Sequence, residues 1–359
     1  MGHSTMPFSS PTVSVVIPVW NGGENFRTCL SSLAKADPRP EEILVVADGD
    51  TDGSGDLARD AGARVLRLPV RGGPARARNL GAREARGEIL FFVDADVAVP
   101  VDAITQIASA FRKEPDLAAL IGSYDDEPGA KNFVSQYKNL FHHYIHQTSK
   151  EEASTFWGAC GAIRRDVFMA VGGFDEAYPE PSIEDIEMGH RLKKAGYRIQ
   201  LRKQLRIKHL KPWKLISLWR SDFFQRALPW TRLILRERQF PNDLNLRLSH
   251  RISVILVYGL LALLVLGASG LWPAAFLAVG ALMAFLLVVN VPLYRFFIRK
   301  RGLWFLIRAI PLHWFYYFYC GLAFVIGFIR YRFPGKGRPG RNGSAPSKTS
   351  RAKGGVGSE

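Results

Sequence analysis

An uninterrupted apolar stretch constrains this chain more than any other feature of its 359-residue sequence. From Ile252 to Tyr294 there are 43 residues without Asp, Glu, Lys, Arg or His, and a Gly-Leu-Trp-Pro tetrapeptide at 270–273 interrupts the run near its middle. One membrane crossing takes about 20 apolar residues. The stretch therefore predicts two transmembrane helices, and the water-exposed fold of the chain must lie outside it.

A further apolar stretch, Ala309 to Ile329, is long enough for a third crossing. The four Lys or Arg residues within 295–301 predict a cytoplasmic loop before it. Residues 330–359 hold eight Lys or Arg and one Glu, which favours a cytoplasmic tail, whereas three crossings would place that tail outside. Two interpretations stay open: the third stretch is re-entrant, or the charge rule fails for this tail.

Charge is unevenly distributed along the chain, whose formal net charge is +16. Residues 1–189 carry 18 Lys or Arg against 28 Asp or Glu, whereas residues 190–251 carry 17 against 3. Within the basic part, apolar residues recur at helical spacing, namely Ile216, Trp219, Phe223, Ala227, Trp230 and Ile234. This pattern predicts amphipathic helix in a membrane interface, interrupted near Pro229. Anionic lipid headgroups are therefore favoured as its partner, and nucleic acid is not.

The termini and cysteines indicate a domain that faces the cytoplasm. Cys29, Cys160 and Cys320 lack the spacing of a zinc site or a disulfide framework, which fits a reducing compartment. The N-terminal sequence has no charged-then-apolar signal pattern, and the Gly-, Pro-, Ser- and Lys-rich C-terminus is expected to be disordered.

The predicted parts are a flexible N-terminus (1–12), an α/β domain (13–210), a basic interfacial connector (211–250), two to three transmembrane helices (251–330) and a disordered tail (331–359).

The first part of the chain alternates between strand and helix signals. Strands are predicted for the apolar runs Val13–Val19, Ile43–Val46 and Ile89–Val93, and helices for Glu24–Lys35 and Pro74–Arg86. Strands that alternate with helices are typical of a mainly parallel sheet covered on both faces. The predicted fold class is therefore α/β, followed by interfacial and transmembrane helices.

A polar group follows each of the three predicted strands: Asn21–Gly23, Asp48–Asp52 and Asp94–Asp96. Such sheets bind ligands outside the carboxyl ends of their strands, so we expect the three groups to converge on one site. Asp94 and Asp96 are suited to share a hard divalent cation, Mg²⁺ or Mn²⁺, with its phosphate ligands. A D-x-D tripeptide alone is more often a solvated loop, but its place after a buried strand favours the metal site.

The segment RGGPARARNLGA combines a Gly-rich turn, a proline suited to the first helical position and arginines in the first turn. Its backbone amides and Arg78 are candidates for binding a diphosphate, although an ordinary capped surface helix has the same pattern. The carboxylates from Asp48 to Asp52 offer acceptors for a base imide or for ribose hydroxyls. A simple turn looks the same in sequence.

Three histidines, His142, His143 and His146, have helical spacing that suits a metal pair. No acidic partner is identifiable around them in the sequence. A solvated or acceptor-facing helix is therefore the favoured interpretation of this segment.

The order of the motifs resembles glycosyltransferase family 2, whose members share the GT-A fold. The motifs are VSVVIPVWNG, VVADGDTDGS, GGPARARNLGA and FFVDADV, followed by WGACGAIRRDVFMAVGGFDE, which is similar to the acceptor-side segment, and SIEDIEMGHRLKKAGYRI, which is similar to the Glu-Asp motif. Together they cover roughly residues 13–210. The resemblance implies a GT-A-type mixed, mainly parallel sheet flanked by helices.

The resemblance also implies roles for single positions. Asp185 is the implied catalytic base, and Glu184 would help to position the acceptor. The remaining positions fall into groups that bind donor, acceptor and metal. The donor group is Pro18, Asn21, Asp48, Asp50, Arg78, Asn79 and Asp94, the acceptor group is Trp157, Gly158 and Asp175, and the metal group is Asp94, Asp96 and His209. The implied cofactor is Mg²⁺ or Mn²⁺.

Two departures from the family pattern matter. Ala47 stands where an acidic residue often accompanies Asp48, and Asp50 is a candidate to compensate for it. The segment QRALPW, residues 225–230, is only partly similar to the Q-x-x-R-W motif of processive synthases, because its spacing is one residue too long and its arginine is displaced. Continuous polymer synthesis is therefore disfavoured.

The leading functional expectation is an inverting transfer of a hexosyl or N-acetylhexosaminyl group from a UDP- or GDP-sugar to a lipid or lipid-linked glycan at the cytoplasmic face of the inner membrane. Such a transfer needs a carboxylate base and a cation for the departing diphosphate. With a lipid phosphate as acceptor, Asp185 would orient or bind it instead. A catalytically silent sugar-nucleotide-binding subunit is the alternative, whereas a nucleotidyltransferase and a transporter are disfavoured.

Overall fold

The computed structural model of the chain describes residues 10–238, 243–270, 272 and 274–333. Its strands are β1 (Val13–Val19), β2 (Glu42–Asp48), β3 (Arg64–Leu68), β4 (Ile89–Val93), β5 (Val97–Ala98), β6 (Leu117–Tyr124), β7 (Cys160–Arg164) and β8 (Arg198–His209). The flexible N-terminus and disordered tail that the sequence predicts fall mainly on residues 1–9 and 334–359, which lie outside this description.

The helices lie on both sides of the sheet and then continue beyond it. Those of the first 210 residues are α1 (Gly23–Ala34), α2 (Ser54–Asp60), α3 (Pro74–Glu84), α4 (Ala103–Lys113), α5 (Phe133–Thr148), α6 (Arg165–Ala170) and α7 (Glu184–Lys194). The later ones are α8 (Leu215–Arg220), α9 (Leu228–Glu237), α10 (Leu248–Ala268), α11 (Ala275–Val289) and α12 (Val291–Arg332), with a π-helical segment (Ser221–Ala227) and a 3₁₀ turn (Leu244–Leu246).

One eight-stranded sheet has the order β3-β2-β1-β4-β7-β6-β8-β5. Strand β1 lies between β2 and β4 and is parallel to both, whereas β7 is antiparallel to β4 and β6. The predicted mixed, mainly parallel sheet with flanking helices is therefore confirmed. Since β1, β2 and β4 run in the same direction, their carboxyl ends lie at one edge, where the predicted polar groups follow.

Successive side chains of each strand point to opposite faces of the sheet, so the core has two layers. Val15 and Ile17 of β1 pack in a cluster with residues of α1 and α4, whereas Val16 packs on the other face with residues of α3, α6 and α7. Strand β4, Ile-Leu-Phe-Phe-Val, is buried throughout, as a central strand covered on both faces must be. Its apolar sequence therefore fixes the position of the acidic residues that follow it.

The connector after β8 is one nearly continuous helical run from α8 to α9, interrupted by the π-helical segment. The interruption predicted near Pro229 is present just before this residue. Proline has no N–H for the carbonyl four residues earlier, which belongs to Gln225. The Ser182 hydroxyl donates to that carbonyl at 2.8 Å, so the connector is joined to the loop that leads into α7.

The C-terminal helices agree with the apolar stretches of the sequence. Among the described residues, α10 and α12 are long and apolar enough to cross a membrane, and α11 is apolar but shorter. Helices α10 and α11 occupy most of the stretch for which two helices were predicted. Helix α12 includes the third stretch and is kinked at Gly302, where φ is 81°.

Candidate active site

Arg78 on α3 joins two carboxylates that are far apart in sequence. Its Nη2 lies 2.6 Å from Oδ1 of Asp94, which follows β4, and its Nη1 lies 2.9 Å from Oε1 of Glu184, at the start of α7. The side chains of Arg78 and Glu184 are each 5% exposed. Burial acts against the guanidinium charge, but the surrounding carboxylates outweigh it and raise the pKa of Arg78. The predicted diphosphate ligand is therefore the buried link between the two acidic motifs.

Asp185 lies beside this link in the first turn of α7. The backbone N–H of Gly158 donates to its Oδ2 at 3.0 Å. Burial, and next the charge of Glu184, raise the pKa of Asp185 to about 6. A Cβ at position 158 would lie 2.9 Å from Cζ of Arg78, so a larger residue there would displace the guanidinium from its place beside this loop. The carboxyl of Asp185 is therefore partly buried, held by one backbone N–H and shifted towards the protonated form.

Asp96 and His209 come together through a short antiparallel pairing. Val97 of β5 pairs with His209 at the end of β8, and Nε2 of the histidine lies 3.8 Å from Oδ2 of Asp96. Burial, and then Lys211 and Arg226, lower the pKa of His209 to about 3, so its imidazole is neutral. Burial and the charge of Asp94 raise the pKa of Asp96 to about 6. A neutral imidazole and a carboxylate are both suited to a divalent metal ion.

The loops after β1 and β2 are joined by side-chain hydrogen bonds. Asn21 accepts from the backbone N–H of Thr51 at 2.8 Å and donates to its hydroxyl at 3.1 Å. Asp52 accepts from the backbone N–H of Gly23 at 3.1 Å. Two of the three predicted polar groups therefore form one rim at the carboxyl ends of β1 and β2, while Pro18 pairs with Val46 inside the sheet.

The carboxylates predicted to read the base are hydrogen-bonded within the protein. Asp48, the last residue of β2, accepts from the backbone N–H groups of Gly72 and Gly73 at 2.6 and 2.8 Å. Asp50 accepts from the N–H of Gly55 at 2.9 Å and lies 3.6 Å from Arg67. Asp48 thus holds the Gly-rich turn that begins α3, and Asp50 holds the first turn of α2.

Two predicted site residues, Asn79 and Asp175, line a surface cavity that the acidic residues after β4 do not line. Asn79 donates to the carbonyl of Phe174 at 2.8 Å, and Asp175 accepts from the N–H of Ala177 at 2.9 Å. Both line a cavity of about 630 Å³ to which Asp94, Asp96 and Asp185 do not contribute. The structure therefore does not bring Asn79 and Asp175 together with the acidic residues at the end of β4.

Trp157 packs beside the acidic residues through Tyr124. The ring centroid of Tyr124 lies 4.8 Å from Trp157 and 4.7 Å from His209, on which it stacks. Trp157 also contacts His146 edge-on at 5.0 Å. The aromatic cluster connects the predicted acceptor residue to the predicted metal ligand.

The interpretation of His142, His143 and His146 as part of a solvated helix is wrong, whereas the acceptor-facing alternative stays a prediction. All three side chains are less than 9% exposed, because α5 packs between β6 and the first part of α12. His143 hydrogen-bonds through Nδ1 to the Tyr124 carbonyl at 2.7 Å. Burial lowers the pKa of all three, so they are neutral core residues. No described residues form a group of three or more acidic, His or Cys side chains able to hold a metal.

Arg226 is a partly buried arginine of the connector that lies within electrostatic range of Asp185 and Glu184. It lies in the π-helical segment, next to Gln225, which accepts from Ser182. Burial acts to lower the pKa of Arg226, but the charge of Asp222, followed by those of Tyr124, Asp185 and Glu184, outweighs this and raises it. In the sequence, Arg226 is the arginine of QRALPW. The spacing of this segment departs from the processive motif, so the motif does not predict a role for Arg226.

We expect Gly73→Ala to destabilise the Gly-rich turn that begins α3. Gly73 has φ 88° and ψ 165°, a backbone region that costs other residues about 1–3 kcal/mol, and a Cβ there would lie 2.2 Å from the Pro179 carbonyl oxygen. Gly62→Ala is the matched control, since it has φ 81° with no atom within 4 Å of its Cβ. Thermal unfolding should show the larger loss for Gly73→Ala. Equal losses would mean that the contact with Pro179 is unimportant.

Comparison with known families gives two matches to this part of the chain. Residues 14–172 match the family model described as glycosyl transferase family 2, and residues 139–214 match the N-terminal domain of galactosyltransferase. Both matched ranges contain Trp157 and Gly158. The first also contains the D-x-D residues, and the second contains Glu184 and Asp185.

Related proteins and structures agree with these matches. Glycosyltransferase GlyG of Streptococcus pneumoniae is 34% identical over 120 residues, which are 32% of this chain and only 40% of GlyG. The succinoglycan biosynthesis protein ExoA of Rhizobium meliloti is 25% identical over 78% of this chain and 88% of ExoA. The mannosyltransferase PcManGT of Pyrobaculum calidifontis, solved with GDP-Man and Mn²⁺, is 17% identical, has a TM-score of 0.53, and covers 92% of this chain and 89% of its own.

Three observations point to the same family: the order of the motifs, the fold, and the family match over residues 14–172. The sheet order, with a D-x-D pair after β4 and a Glu-Asp pair at the start of α7, provides its structural basis. Over residues 14–172 the chain matches glycosyl transferase family 2, and its fold is GT-A-like.

Proposed function

We propose that this enzyme is a metal-dependent, inverting glycosyltransferase that moves a hexosyl or N-acetylhexosaminyl group from a UDP- or GDP-sugar to a lipid or lipid-linked glycan. The observation that carries the proposal is the buried Arg78, which holds the carboxylates of Asp94 and Glu184 at 2.6 and 2.9 Å. This link keeps Asp185, the neighbour of Glu184, beside the D-x-D residues.

A divalent cation fits the residues near Asp96. Repulsion between the carboxylates of Asp94 and Asp96, together with burial, favours protonation of Asp96, and a bound cation would relieve that repulsion. His209 offers a neutral nitrogen 3.8 Å away. Mg²⁺ in phosphate sites typically takes one or two carboxylates and completes its shell with substrate phosphates and water, so a larger protein cluster is unnecessary. Such a cation supplies Lewis-acid stabilisation to the departing nucleoside diphosphate.

Asp185 is proposed to take the proton of the acceptor hydroxyl. The acceptor oxygen then forms a bond to the anomeric carbon from the face opposite the diphosphate, while the bond from that carbon to the diphosphate oxygen breaks. Gly158 holds one oxygen of Asp185 through its N–H, so the carboxylate is oriented before the acceptor binds. Glu184, paired with Arg78, keeps the first turn of α7 in place.

The apolar helices support a lipid acceptor and a multi-pass location in the cytoplasmic membrane. Two of them are long and apolar enough to cross a membrane, and the basic connector precedes them. Arg226 comes from this connector and lies in the field of Asp185 and Glu184. A guanidinium between the membrane-side segment and the base is suited to a phosphate of a lipid-linked acceptor. The domain bounds at residues 13–210, 211–250 and 251–330 are part of this proposal.

The test is a transfer assay with membranes that contain the full chain, a panel of labelled UDP- and GDP-sugars, native lipid extract, and Mg²⁺ or Mn²⁺. Asp96→Asn removes one metal donor, and we expect turnover to fall by about 10²-fold or more, corresponding to several kcal/mol of lost stabilisation. Asp102→Asn is the control, because Asp102 is exposed and its side chain does not cap α4.

Metal-dependent label in the lipid fraction, lost in Asp96→Asn and kept in Asp102→Asn, would support the proposal. If the folded chain binds a nucleotide sugar but turns over none of the panel, the silent binding subunit becomes the better account. Label found only in water-soluble glycan would contradict a lipid acceptor but would still show transferase activity.

A further inference from the structure

The part of α12 after its kink, residues 303–332, packs on α5 near its start and on the connector further along, and its middle also contacts α10, where the Tyr258 hydroxyl donates to the Phe318 carbonyl at 2.9 Å. Leu306 and Ala309 lie in a cluster with residues of α5. Tyr319 and Ala323 lie in a cluster with Phe223 of the π-helical segment. Near its end, a Cβ at Gly327 would lie 2.7 Å from Thr231 of α9. We call this part of α12 the distal segment.

A buried ion pair lies beside the middle of the distal segment. Lys138 of α5 and Asp222 of the π-helical segment are 2.8 Å apart, and the Tyr319 hydroxyl donates to the other oxygen of Asp222 at 2.8 Å. A helix of residues 303–332 is about 45 Å long, and Tyr319 lies close to its midpoint. If the distal segment crossed a bilayer, this ion pair and the polar helix α5 would lie near the hydrocarbon centre, where charges are strongly disfavoured.

Helices α10 and α11, unlike the distal segment, pack on the rest of the protein mainly at one end. At the end near the catalytic domain, Asn290 donates to the Ser253 hydroxyl at 3.0 Å and accepts from the Tyr317 hydroxyl at 2.8 Å. Towards the other end, large apolar side chains are exposed, with Val265 at 69% and Leu277 at 82%. The pair of helices therefore projects away from the catalytic domain as an apolar hairpin.

The outer face of the distal segment is apolar, with basic residues at its end. Leu303, Trp304 and Ile307 are 50–70% exposed near its start, and Phe328 is 47% exposed near its end. Arg330 and Arg332 follow, and both are exposed. An apolar face with a Trp and with arginines at its boundary is complementary to the headgroup region of an anionic bilayer.

Resting on the membrane location proposed above, we infer that the distal segment lies along the cytoplasmic interface of the bilayer rather than across it. The lipid surface is the occupant of its exposed face, and the hairpin of α10 and α11 is the part of the chain that crosses. Helix α11 alone has 15 residues, but the uncharged sequence continues beyond it into α12 as far as Tyr294, so the return crossing includes the start of α12. Two crossings return the chain to the cytoplasm. The eight Lys or Arg of residues 330–359 then lie on the cytoplasmic side, in agreement with the charge rule.

Single cysteines in the full chain test this inference with a membrane-impermeant maleimide. Ala268→Cys marks the far end of α10, and Phe333→Cys marks the residue after the distal segment; both positions are exposed. The unaltered chain is the background control, because Cys29 and Cys160 are buried and Cys320 is partly buried. In intact spheroplasts we expect labelling at 268 and none at 333, with labelling at 333 appearing in inverted vesicles.

Labelling at both positions in intact spheroplasts would show three crossings and overturn the inference. Protection of both positions in spheroplasts, with the chain retained after alkaline carbonate extraction, would show a hairpin that does not cross and would also overturn it. Release of the chain by carbonate would instead contradict the membrane location in the proposed function. Sugar transfer by the same two variants, measured separately, reports on the transferase activity alone.

Discussion

Asp185→Asn is expected to lower the rate of sugar transfer to a hydroxyl acceptor by about 10²–10⁴-fold, the usual contribution of a general base. Asparagine has nearly the same shape and keeps an oxygen that can accept the Gly158 N–H, so the loop should stay in place. The amide cannot take a proton from the acceptor. Binding of the nucleotide sugar should therefore be retained, which calorimetry or equilibrium dialysis can measure beside the transfer assay.

The pH dependence gives an independent check on Asp185. Burial and Glu184 raise the pKa of Asp185 to about 6, so the base form is lost as the pH falls through this value. The transfer rate at saturating donor and metal should rise with pH around 6, and Asp185→Asn should remove that limb from the residual rate. Asp60→Asn, at an exposed position on α2, is the control. Full turnover in Asp185→Asn would exclude Asp185 as the essential base and favour an already ionised acceptor.

Arg78→Met is expected to cause the largest loss of stability among the site variants. Removing one partner of a buried ion pair leaves an uncompensated charge and typically costs about 3–5 kcal/mol. Arg78 faces Glu184, which is 5% exposed, and Asp94, which is 35% exposed, so the glutamate accounts for most of the effect. For a domain of this size, such a loss lowers the Tm by roughly 6–20 °C.

Thermal unfolding of the detergent-purified chain measures the effect of Arg78→Met. Arg83→Met is the matched control on the same helix, because Arg83 is 55% exposed and lies 3.9 Å from Glu176. We expect its Tm to stay close to that of the unaltered chain. A drop in Tm that is equally small for both variants would mean that the link between the D-x-D and Glu-Asp motifs contributes little to the fold.

The central strands and the apolar helices follow from the sequence because local pattern determines them. Strands β1 and β4 have the predicted bounds, since a run of apolar residues between turn signals has few other folded states. Strand β2 extends two residues further than predicted, through Asp48. The apolar stretch also predicted helices α10 and α11, because length and absence of charge suffice for that inference.

The parts that the sequence did not predict depend on contacts between distant residues. Arg78 and Glu184 are 106 positions apart, and no local pattern indicates that one compensates the charge of the other. The three histidines of α5 have helical spacing that suits a metal pair, but contacts with Tyr124 of β6, Trp157 and Phe296 of α12 bury them. Arg226 was missed for a related reason, since its position depends on the π-helical segment rather than on motif spacing.

Pro229 follows the π-helical segment, four residues after Gln225. Proline has no backbone N–H to donate within the connector, and the Gln225 carbonyl accepts from the Ser182 hydroxyl at 2.8 Å. Ser182 also donates its backbone N–H to Glu184, so the loop into α7 is held at both its ends. The connector and the loop that carries Glu184 and Asp185 into α7 are thus tied together through one carbonyl, so a displacement of the connector is transmitted to the first turn of α7.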